Sequence, residues 1–440
     1  MRNYDAIVIG AGPAGMMVAI RAAEGAKKIL LIERNSNLGV KLITTGGGRC
    51  NLTNTCDSKD FLNNFSSSRD FLRNSFAQFF NTDLLSFFEK SGIVFKTEEN
   101  GCVFPVSDKA GDILNILKQK LQKNNVEIIY NERVKDIIAK DGKIKGIVTF
   151  SNKHFLASRI VIATGGISYP QTGSTGDGYK LAKKLGHTIV ALKPALVPIA
   201  IKEKFVQDWQ GISLKKVRVT VLSNSKKIAE RLGDVIFTHF GVSGPIILDV
   251  SAATYDALES HNVGRRPDPS LFPTERRESL ATGLELKNSV ELIINFTPKL
   301  TQKELDALVL RELKINSAKT IKNMFKDVLP RKMMERFLEY CNLSPDISAH
   351  QMTIGERKML IKGLSGLRLT VEAVLPIKDG IVTRGGVSTK EINPKTMESK
   401  LIKGLFFAGE IIDVDATTGG YNLQAAFSTG WVCGNNLNMV

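Results

Sequence analysis

The spacing of apolar and polar positions changes several times along this chain, and each change marks a predicted region. Residues 4–33 predict a compact βαβ unit, read as strand YDAIVIG, turn GAGPAG, helix MMVAIRAAEGA and strand KKILLIE. A second buried strand, SRIVIATGG at 158–166, also ends in glycines, and a helix is predicted to open at TGDG (175–178). This pattern is typical of a doubly wound α/β domain.

The middle of the chain has a different pattern of apolar and polar residues. From about Pro194, short alternating strands such as KKVRVTVLS and VELIINF predict an inserted β-rich region. Within it, residues 256–288 are polar and without period, and we expect a surface loop there. Residues 301–343 have helical spacing, and after about Gly380 strands and glycine turns return before a last helix from Asn422. The C-terminal region is therefore predicted to complete the first domain.

The glycine turn has the form of a dinucleotide fingerprint. Gly10, Gly12 and Gly15 follow a strand and open a helix, and Glu33 ends the second strand. Such glycines allow a tight turn and let a pyrophosphate approach the helix N-terminus, while the acid accepts a hydrogen bond from a ribose hydroxyl. The alternative is a glycine-rich turn in another kind of α/β protein.

The C-terminal region distinguishes between NAD and FAD. Strand FFAGE supplies Gly409 and Glu410, and Gly419 and Gly420 precede the last helix. A returning strand that ends in Gly-acid, followed by a glycine-led helix, is typical of flavoproteins, in which the helix dipole faces the flavin. We therefore predict FAD. Because the middle of the chain has no second GxGxxG unit, NAD(P)H as the reductant is expected to visit the substrate face transiently.

Length and composition limit the number of domains and the cellular compartment that we expect. The 440 residues allow two or three domains, and no run of about 18 apolar residues predicts a transmembrane helix. The N-terminus lacks the features of a signal peptide, which favours the cytoplasm. The five cysteines form neither a C-x-x-C pair nor a zinc spacing, so we expect no disulfide framework and no metal.

The net charge of +16 raises the question of a polyanionic partner. Residues 214–231 hold six Lys/Arg against one acid. The helical region adds a basic stripe of Lys319, Lys322, Lys326, Arg331, Lys332 and Arg336. A partner with a phosphate backbone would account for this concentration of positive charge better than a small neutral substrate would. The charge therefore favours RNA. The alternative is a surface of solvated lysines.

Five motifs resemble one known family. They are VIGAGPAG, GGGRCNLTN, FTHFGVSGP (237–245), GGVSTKEINPKTMESK (385–400) and FAGEIIDVDATTGGYNLQAAFSTG (407–430). They resemble the bacterial NAD(P)/FAD-dependent oxidoreductases of the HI0933-like type, which include a bile-acid enone reductase, an aminoacetone oxidase and a ribosomal-RNA dihydrouridine synthase. The resemblance spans nearly the whole chain. The 256–288 insert is longer than the family pattern.

The resemblance implies an α/β fold, in which a Rossmann-like two-dinucleotide FAD-binding domain carries inserted β-barrel and small helical domains. The FAD domain is expected at 1–193 and 376–440, the barrel at 194–298 and 351–375, and the helical domain at 299–350. In this kind of fold the segment after the ribose acid runs beneath the FAD, so Lys41 and residues 46–48 are expected to approach it. The full set of expected FAD-binding residues is Gly10, Gly12, Pro13, Ala14, Gly15, Glu33, Arg34, Lys41, Gly47, Gly48, Arg49, Cys50, Asn51, Val134, Ala163, Thr164, Gly165, Gly409, Glu410, Gly420, Tyr421, Asn422 and Leu423.

Two residues are catalytic candidates. Cys50 could donate a proton to the carbon beside the one that receives a hydride, as reduction of a polarised C=C bond requires. The alternative for Cys50 is a buried thiol that packs under the flavin. His239 could orient the substrate or relay a proton, or it could be a turn histidine bonded to backbone.

Three functions are compatible with these patterns. The first is an FAD-dependent reductase that uses NAD(P)H to form dihydrouridine in ribosomal RNA, with the base unstacked into the site. The second is a small-molecule oxidoreductase, either an enone reductase or an amine oxidase of the aminoacetone type. The third is a non-catalytic flavin-containing RNA-binding factor. The oligomeric state has no sequence signal.

Overall fold

The computed structural model describes residues 2–66, 68–261, 289–325 and 328–438. Within these ranges the strands, in chain order, are β1 (Arg2–Tyr4), β2 (Ala6–Ile9), β3 (Ile29–Ile32), β4 (Thr53–Asn54), β5 (Phe95–Thr97), β6 (Cys102–Pro105), β7 (Glu127–Ile129), β8 (Val134–Lys140), β9 (Lys143–Thr149), β10 (His154–Ala157), β11 (Ile160–Ile162), β12 (Ile189–Ala195), β13 (Ile199–Ile201), β14 (Ser213–Ser223), β15 (Lys226–Phe237), β16 (Gly241–Ser243), β17 (Val290–Asn295), β18 (Leu367–Val374), β19 (Val382–Val387) and β20 (Leu405–Phe407). The helices are α1 (Pro13–Ala23), α2 (Val40–Thr44), α3 (Ser58–Leu62), α4 (Arg69–Gln78), α5 (Asn81–Glu89), α6 (Ala110–Lys123), α7 (Asp177–Lys184), α8 (Pro245–His261), α9 (Gln302–Ile315), α10 (Arg331–Tyr340), α11 (Ile354–Ser365) and α12 (Tyr421–Asn438).

The chain forms two compact units, and the first is built from two separate segments, 1–195 and 377–440. Its centre is a five-stranded sheet in the order β20-β11-β2-β3-β7, in which every pairing is parallel. The strands AIVI, ILLI, IVI and LFF are buried along their whole length. Continuous apolar runs of this kind are expected where a parallel sheet is covered on both faces.

Helices α1 and α12 pack closely together because glycines remove the side chains between them. A Cβ atom at Gly430 would lie 2.6 Å from the carbonyl oxygen of Ala14, and one at Gly434 would lie 2.9 Å from that of Val18. Close contact of this kind ties the C-terminal helix to the first helix of the chain. The C-terminal segment therefore completes the first unit.

Among its described residues, the first unit has three further sheets. They have the strand orders β1-β10-β9-β8, β4-β6-β5 and β12-β19. Beside them, helices α3, α4 and α5 bring together the rings of a phenylalanine-rich segment. Phe61 makes ring contacts with Phe65, Phe76 and Phe80. These rings form part of the core against which α12 begins.

The second unit, residues 196–376, contains a closed six-stranded barrel in the order β13-β16-β15-β14-β17-β18. Along β14, Val217, Val219 and Val221 are buried while the residues between them are more exposed, as alternation in a barrel strand requires. Helices α9, α10 and α11 belong to this unit. The predicted fold class, a Rossmann-type domain with an inserted barrel and helical regions, is confirmed.

One predicted loop is partly wrong. The polar stretch from residue 256 was expected to be a surface loop, but its first six residues form the end of α8, which continues to His261. The buried positions of this helix include Ile247, Val250 and Thr254, so it is held by packing along its length. The rest of the predicted loop, 262–288, lies outside the described residues.

Candidate functional site

The three fingerprint glycines have different local roles. A Cβ atom at Gly10 would lie 2.6 Å from the Ala163 carbonyl oxygen, and one at Gly15 would lie 1.9 Å from that of Gly10. These two positions are closed to any side chain. A Cβ atom at Gly12, in contrast, would meet nothing within 4 Å. Gly12 therefore borders open space at the N-terminus of α1.

The start of α1 is also open to a ligand. Gly12 is the N-cap and Pro13 the first helical residue, and no side chain caps this end. The first-turn amides, including those of Ala14 and Gly15, have no partner within an α-helix. An uncapped N-terminus beside open space fits a phosphate group, which both the N–H groups and the helix dipole would attract.

Glu33 lies directly after β3 and reaches back to the fingerprint turn. Its carboxylate accepts hydrogen bonds from the backbone N–H groups of Ala11 and Asn35, both at 2.8 Å. Burial raises the pKa of this carboxyl, and the backbone N–H bonds oppose that rise. Each carboxylate oxygen can accept more than one hydrogen bond, so Glu33 keeps the capacity to accept from a ribose hydroxyl.

Arg34, the next residue, is engaged in an ion-pair network. It donates to the hydroxyl of Thr175 and lies 3.2 Å from Asp177, to which Arg133 donates two bonds at 2.6 and 2.7 Å. These arginines hold the pKa of Asp177 below its usual range, Arg133 having the larger effect. Val134, which follows Arg133, is buried at the start of β8. Sequence reasoning did not foresee the roles of Arg133 and Asp177, although the acid stands at the predicted helix start.

The second glycine-ended strand reaches the same turn. Ala163 touches Gly10 through its carbonyl, and Gly165 has a positive φ of 71°. Between them, the hydroxyl of Thr164 is buried and has no hydrogen-bond partner among the described residues. A Cβ atom at Gly178 would lie 2.1 Å from this hydroxyl oxygen, so Thr164 packs against the start of α7.

The GGG run forms a tight turn and not a regular helix. Gly46, Gly47 and Gly48 have φ values of 58°, 67° and 90°, a region in which side chains are strained. A Cβ atom at Gly47 would meet nothing within 4 Å. The run therefore lets backbone face open space, as expected for an approach to a cofactor.

Cys50 follows this turn in a left-handed conformation with a φ of 64°, which is unusual for a residue other than glycine. Its backbone N–H donates to the Thr45 carbonyl at 3.0 Å, and its side chain is fully buried. Burial raises the pKa of the thiol to about 12, although a hydrogen bond with Thr45 opposes this. The group is a protonated thiol at neutral pH.

Arg49 extends toward the β5–β6 hairpin. It pairs with Glu98 at 2.7 Å, and its guanidinium lies 4.0 Å from the centroid of the Phe104 ring. The side chain is 40% exposed. Its charge is thus held by a neighbouring acid and an aromatic face within the first unit.

Asn51 connects the same turn to the start of α12. In the amide orientation that satisfies both neighbours, it accepts from the Gly420 N–H and donates to the Thr53 carbonyl, each at 3.2 Å. A Cβ atom at Gly420 would lie 2.4 Å from that carbonyl oxygen. Glycine at 420 is therefore required for the close approach of these two segments.

The next residues of α12 make contacts within the protein. Tyr421 packs edge-on against Phe61, with ring centroids 4.7 Å apart. The Asn422 side chain accepts from the Ala416 N–H at 2.9 Å and donates to the Ala416 carbonyl at 2.8 Å. Leu423 is half-buried. Tyr421 and Asn422 thus fix the loop that leads into the helix.

Lys41 and Glu410 meet although they are far apart in sequence. The Lys41 Nζ lies 2.8 Å from Glu410 Oε2 and donates to the Ser168 hydroxyl at 2.7 Å. Glu410 follows Gly409, where a Cβ atom would lie 2.7 Å from the Cβ of Ala14. The structure thus groups Lys41 and the Gly-acid strand with the fingerprint helix.

His239 belongs to the second unit. It is exposed in the turn between β15 and β16, where Gly241 donates to the Thr238 hydroxyl at 3.2 Å. Its ring contacts Phe240 edge-on, with centroids 4.8 Å apart. A side-chain hydrogen bond that stabilises this turn thus comes from Thr238.

Together, these features define a Rossmann-type FAD-binding domain. The fingerprint turn, the ribose acid and the Gly-acid pair of Gly409 and Glu410 lie at the carboxyl ends of β2, β3 and β20, the edge at which open α/β sheets bind ligands. Within the described residues, no helix is long and apolar enough to cross a membrane.

Residues 4–436 match the family model described as HI0933-like protein Rossmann domain, and the chain belongs to this family. It is 29% identical over 430 residues to 3-dehydro-bile acid delta(4,6)-reductase from Clostridium scindens, covering 97% of both chains. It is 28% identical over 438 residues to ribosomal RNA dihydrouridine synthase from Escherichia coli, covering 99% of this chain and 98% of that one. The protein of that name from Haemophilus influenzae is 29% identical over 439 residues, with 98% of each chain covered. The predicted family is confirmed, and the protein is an FAD-dependent oxidoreductase.

Proposed function

We propose that this protein reduces a carbon–carbon double bond conjugated to a carbonyl group, with NAD(P)H as reductant and uridine in ribosomal RNA as substrate. By their names, the bile-acid reductase and the dihydrouridine synthases that it resembles over nearly their whole lengths perform reductions of this kind. Uracil C5=C6, conjugated to the C4 carbonyl, is such an acceptor.

The observation that carries the choice of RNA is the basic β14–β15 hairpin. Lys215, Lys226, Lys227 and Arg231 are exposed on it, and the acid nearest to them in sequence, Glu230, lies 3.7 Å from Lys227. Cations in excess of acids on one hairpin fit a phosphate backbone. A small substrate with a single charge, such as a bile acid, does not require several exposed cations on one hairpin.

The helical stripe contributes less to this argument than the sequence suggested. Lys322 pairs with Asp346 at 2.5 Å, and Arg336 pairs with Asp208 and Glu339, both at 2.9 Å. Lys332 donates to the carbonyl of Gln210 at 3.2 Å. Lys319 and Arg331 are exposed, and Lys326 lies outside the described residues. Much of that charge is therefore balanced locally.

When bound, FAD would supply a hydride to C6 of uracil, and a proton must then reach C5. We assign this proton to Cys50, because it directly follows the glycine turn that is expected to approach the cofactor. His239 lies in the second unit, and its predicted catalytic role stays a prediction. Gly10, Gly12, Gly15, Glu33 and the start of α12 would hold the cofactor.

The test is mass-spectrometric counting of dihydrouridine in ribosomal RNA from cells with and without the gene. Loss of dihydrouridine on deletion, and its return with the wild-type gene, is the expected result. Return with the K226Q/K227Q variant should be weaker, while that variant keeps its bound FAD. A dihydrouridine count that deletion leaves unchanged rejects RNA as the substrate.

The second candidate is an enone reductase for small molecules, which the Clostridium scindens relative favours. NAD(P)H oxidation by the purified holoprotein distinguishes the two when a 3-oxo-Δ4 steroid and ribosomal RNA are supplied in turn. Oxygen consumption with aminoacetone tests the amine-oxidase alternative. RNA binding without NAD(P)H turnover would indicate a non-catalytic RNA-binding factor.

A further inference from the structure

The ion pair between Lys41 and Glu410 lies beside the first turn of the fingerprint helix. Lys41 belongs to α2, in the segment that follows the ribose acid, and Glu410 directly follows β20. Their charged atoms are 2.8 Å apart, and the two side chains are only 21% and 20% exposed. Glu410 is one residue from the close contact of Gly409 with Ala14.

The carboxylate of this pair is fixed from several directions. Glu410 Oε1 accepts from the Thr383 backbone N–H at 2.8 Å and from the Ser168 hydroxyl at 3.1 Å. Ser168 also accepts from Lys41, and both Ser168 and Thr383 are fully buried. A Cβ atom at Gly166 would lie 2.2 Å from the Thr383 hydroxyl oxygen. Four segments of the chain thus converge on one ion pair.

The positive charge of Lys41 is important because the dinucleotide and the carboxylates expected near it are negative. The pyrophosphate of FAD is anionic, and the site brings two carboxylates, Glu33 and Glu410, to the same edge of the sheet. Glu33 has a ribose hydroxyl as its expected partner. An uncompensated Glu410 would repel the phosphates, and the repulsion would be strong because this partly buried site is less polarisable than water.

We propose that Lys41 is a positioning residue for FAD, which neutralises Glu410 and holds its carboxylate against Ser168 and Thr383. In this arrangement Lys41 acts through Glu410 and does not bind the dinucleotide itself. The pair removes one negative charge from the edge of the sheet that receives the pyrophosphate. It also joins α2 to β20, two elements that border the site from opposite ends of the sequence.

The experiment measures the dissociation constant of FAD by calorimetric titration of full-length protein from which the cofactor has been removed. K41M should weaken FAD binding on the order of tenfold, because it leaves the charge of Glu410 unbalanced at the edge of the sheet that is expected to receive the anionic cofactor. E410Q should bind FAD as tightly as the wild type or more tightly. The K41M/E410Q double variant should return to within about threefold of the wild type.

A lysine in a different ion pair serves as the matched control. Lys184 lies 3.1 Å from Asp136 on the surface, and K184M should leave FAD binding unchanged. Circular dichroism of the cofactor-free proteins checks that each variant is folded. E410Q and the double variant keep the proposal testable even if K41M alone does not fold.

Three results would overturn the proposal. FAD binding by K41M at the wild-type level would show that neutralisation of Glu410 has no effect on the cofactor. A double variant as weak as K41M would show that Lys41 binds the dinucleotide directly or only supports the fold. Weaker binding by E410Q would assign the carboxylate a direct favourable contact. None of these measurements depends on the identity of the oxidised or reduced substrate.

Discussion

The carboxamide of Asn51 bridges two backbone groups, the Gly420 N–H and the Thr53 carbonyl, each at 3.2 Å. The Asn51 side chain thus links the end of the GGGRCN turn to the residue before α12. The two segments are close enough that a Cβ atom at Gly420 would lie 2.4 Å from the Thr53 oxygen. Asn51 therefore stabilises the position of the helix start.

N51A should destabilise the protein by about 1–2 kcal/mol, because both backbone groups lose a partner in a half-buried place. Urea unfolding of the holoprotein measures this change. N63A is the control, since Asn63 is exposed and accepts only a long bond of 3.4 Å from Arg69. Equal stability of N51A and N63A would show that the bridge has no energetic role.

Substitutions of the fingerprint glycines should affect cofactor binding and folding to different extents. G12A should keep the stability of the cofactor-free protein within about 0.5 kcal/mol, because a Cβ atom there meets nothing within 4 Å. It should nevertheless weaken FAD binding, since the new methyl group occupies the space open to the pyrophosphate. FAD titration and thermal unfolding measure the two effects separately.

G15A is the matched comparison for G12A. Its Cβ atom would lie 1.9 Å from the Gly10 carbonyl oxygen, so folding itself should suffer, by about 1–3 kcal/mol or more. A G12A variant that binds FAD normally would contradict the assignment of this turn to the pyrophosphate.

C50A should retain yellow bound FAD and its reduction by NAD(P)H, but should lose product formation. The reason is that the methyl group can fill much of the thiol's buried place but has no proton to give. Absorbance of the flavin and dihydrouridine formation report the two half-reactions. Product formation by C50A at the wild-type rate would leave Cys50 with a packing role only.

Alkaline conditions should destabilise the protein through its buried thiols. Burial raises the pKa of Cys50 and of Cys341 from 9.0 to about 12, and it raises that of Cys433 as well. Below pH 9 the thiols are protonated whether the chain is folded or unfolded, so their stabilising contribution is complete. Above pH 9 only the unfolded chain ionises readily, and each thiol should remove about 1.4 kcal/mol per pH unit.

Urea unfolding of wild type and C50A between pH 8 and 10.5 isolates the contribution of one thiol. The fall of stability above pH 9 should be shallower in C50A than in the wild type. C56A should change the slope less, because Cys56 is only partly buried. Parallel curves for wild type and C50A would show that Cys50 ionises in the folded protein.

The fold class could be predicted because its signals are local. The parallel strands are continuous apolar runs bounded by glycines, and the fingerprint turn carries its own geometry. The end of α8 could not be predicted in this way. Its last residues, around Glu259 and His261, are polar, and the helix is held by buried positions earlier in its length.

The partners of the site residues were beyond sequence reasoning for a different reason. Lys41 and Glu410 are separated by 369 positions, and Arg49 and Glu98 by 49. The pairing of acids with bases depends on the strand order and on the turns. The local sequence around each residue does not show either of them. The sequence could place Arg49 in the turn before Cys50, but not direct its side chain to Phe104.

The strand order of the central sheet has a consequence for folding during translation. Strand β20 lies at its edge beside β11, yet it is translated after the whole of residues 196–376. A nascent chain on the ribosome therefore carries β11 with one unpaired edge until nearly all of the protein has been synthesised. Glu410 and α12 emerge later still, so the chain can capture its cofactor only near the end of translation.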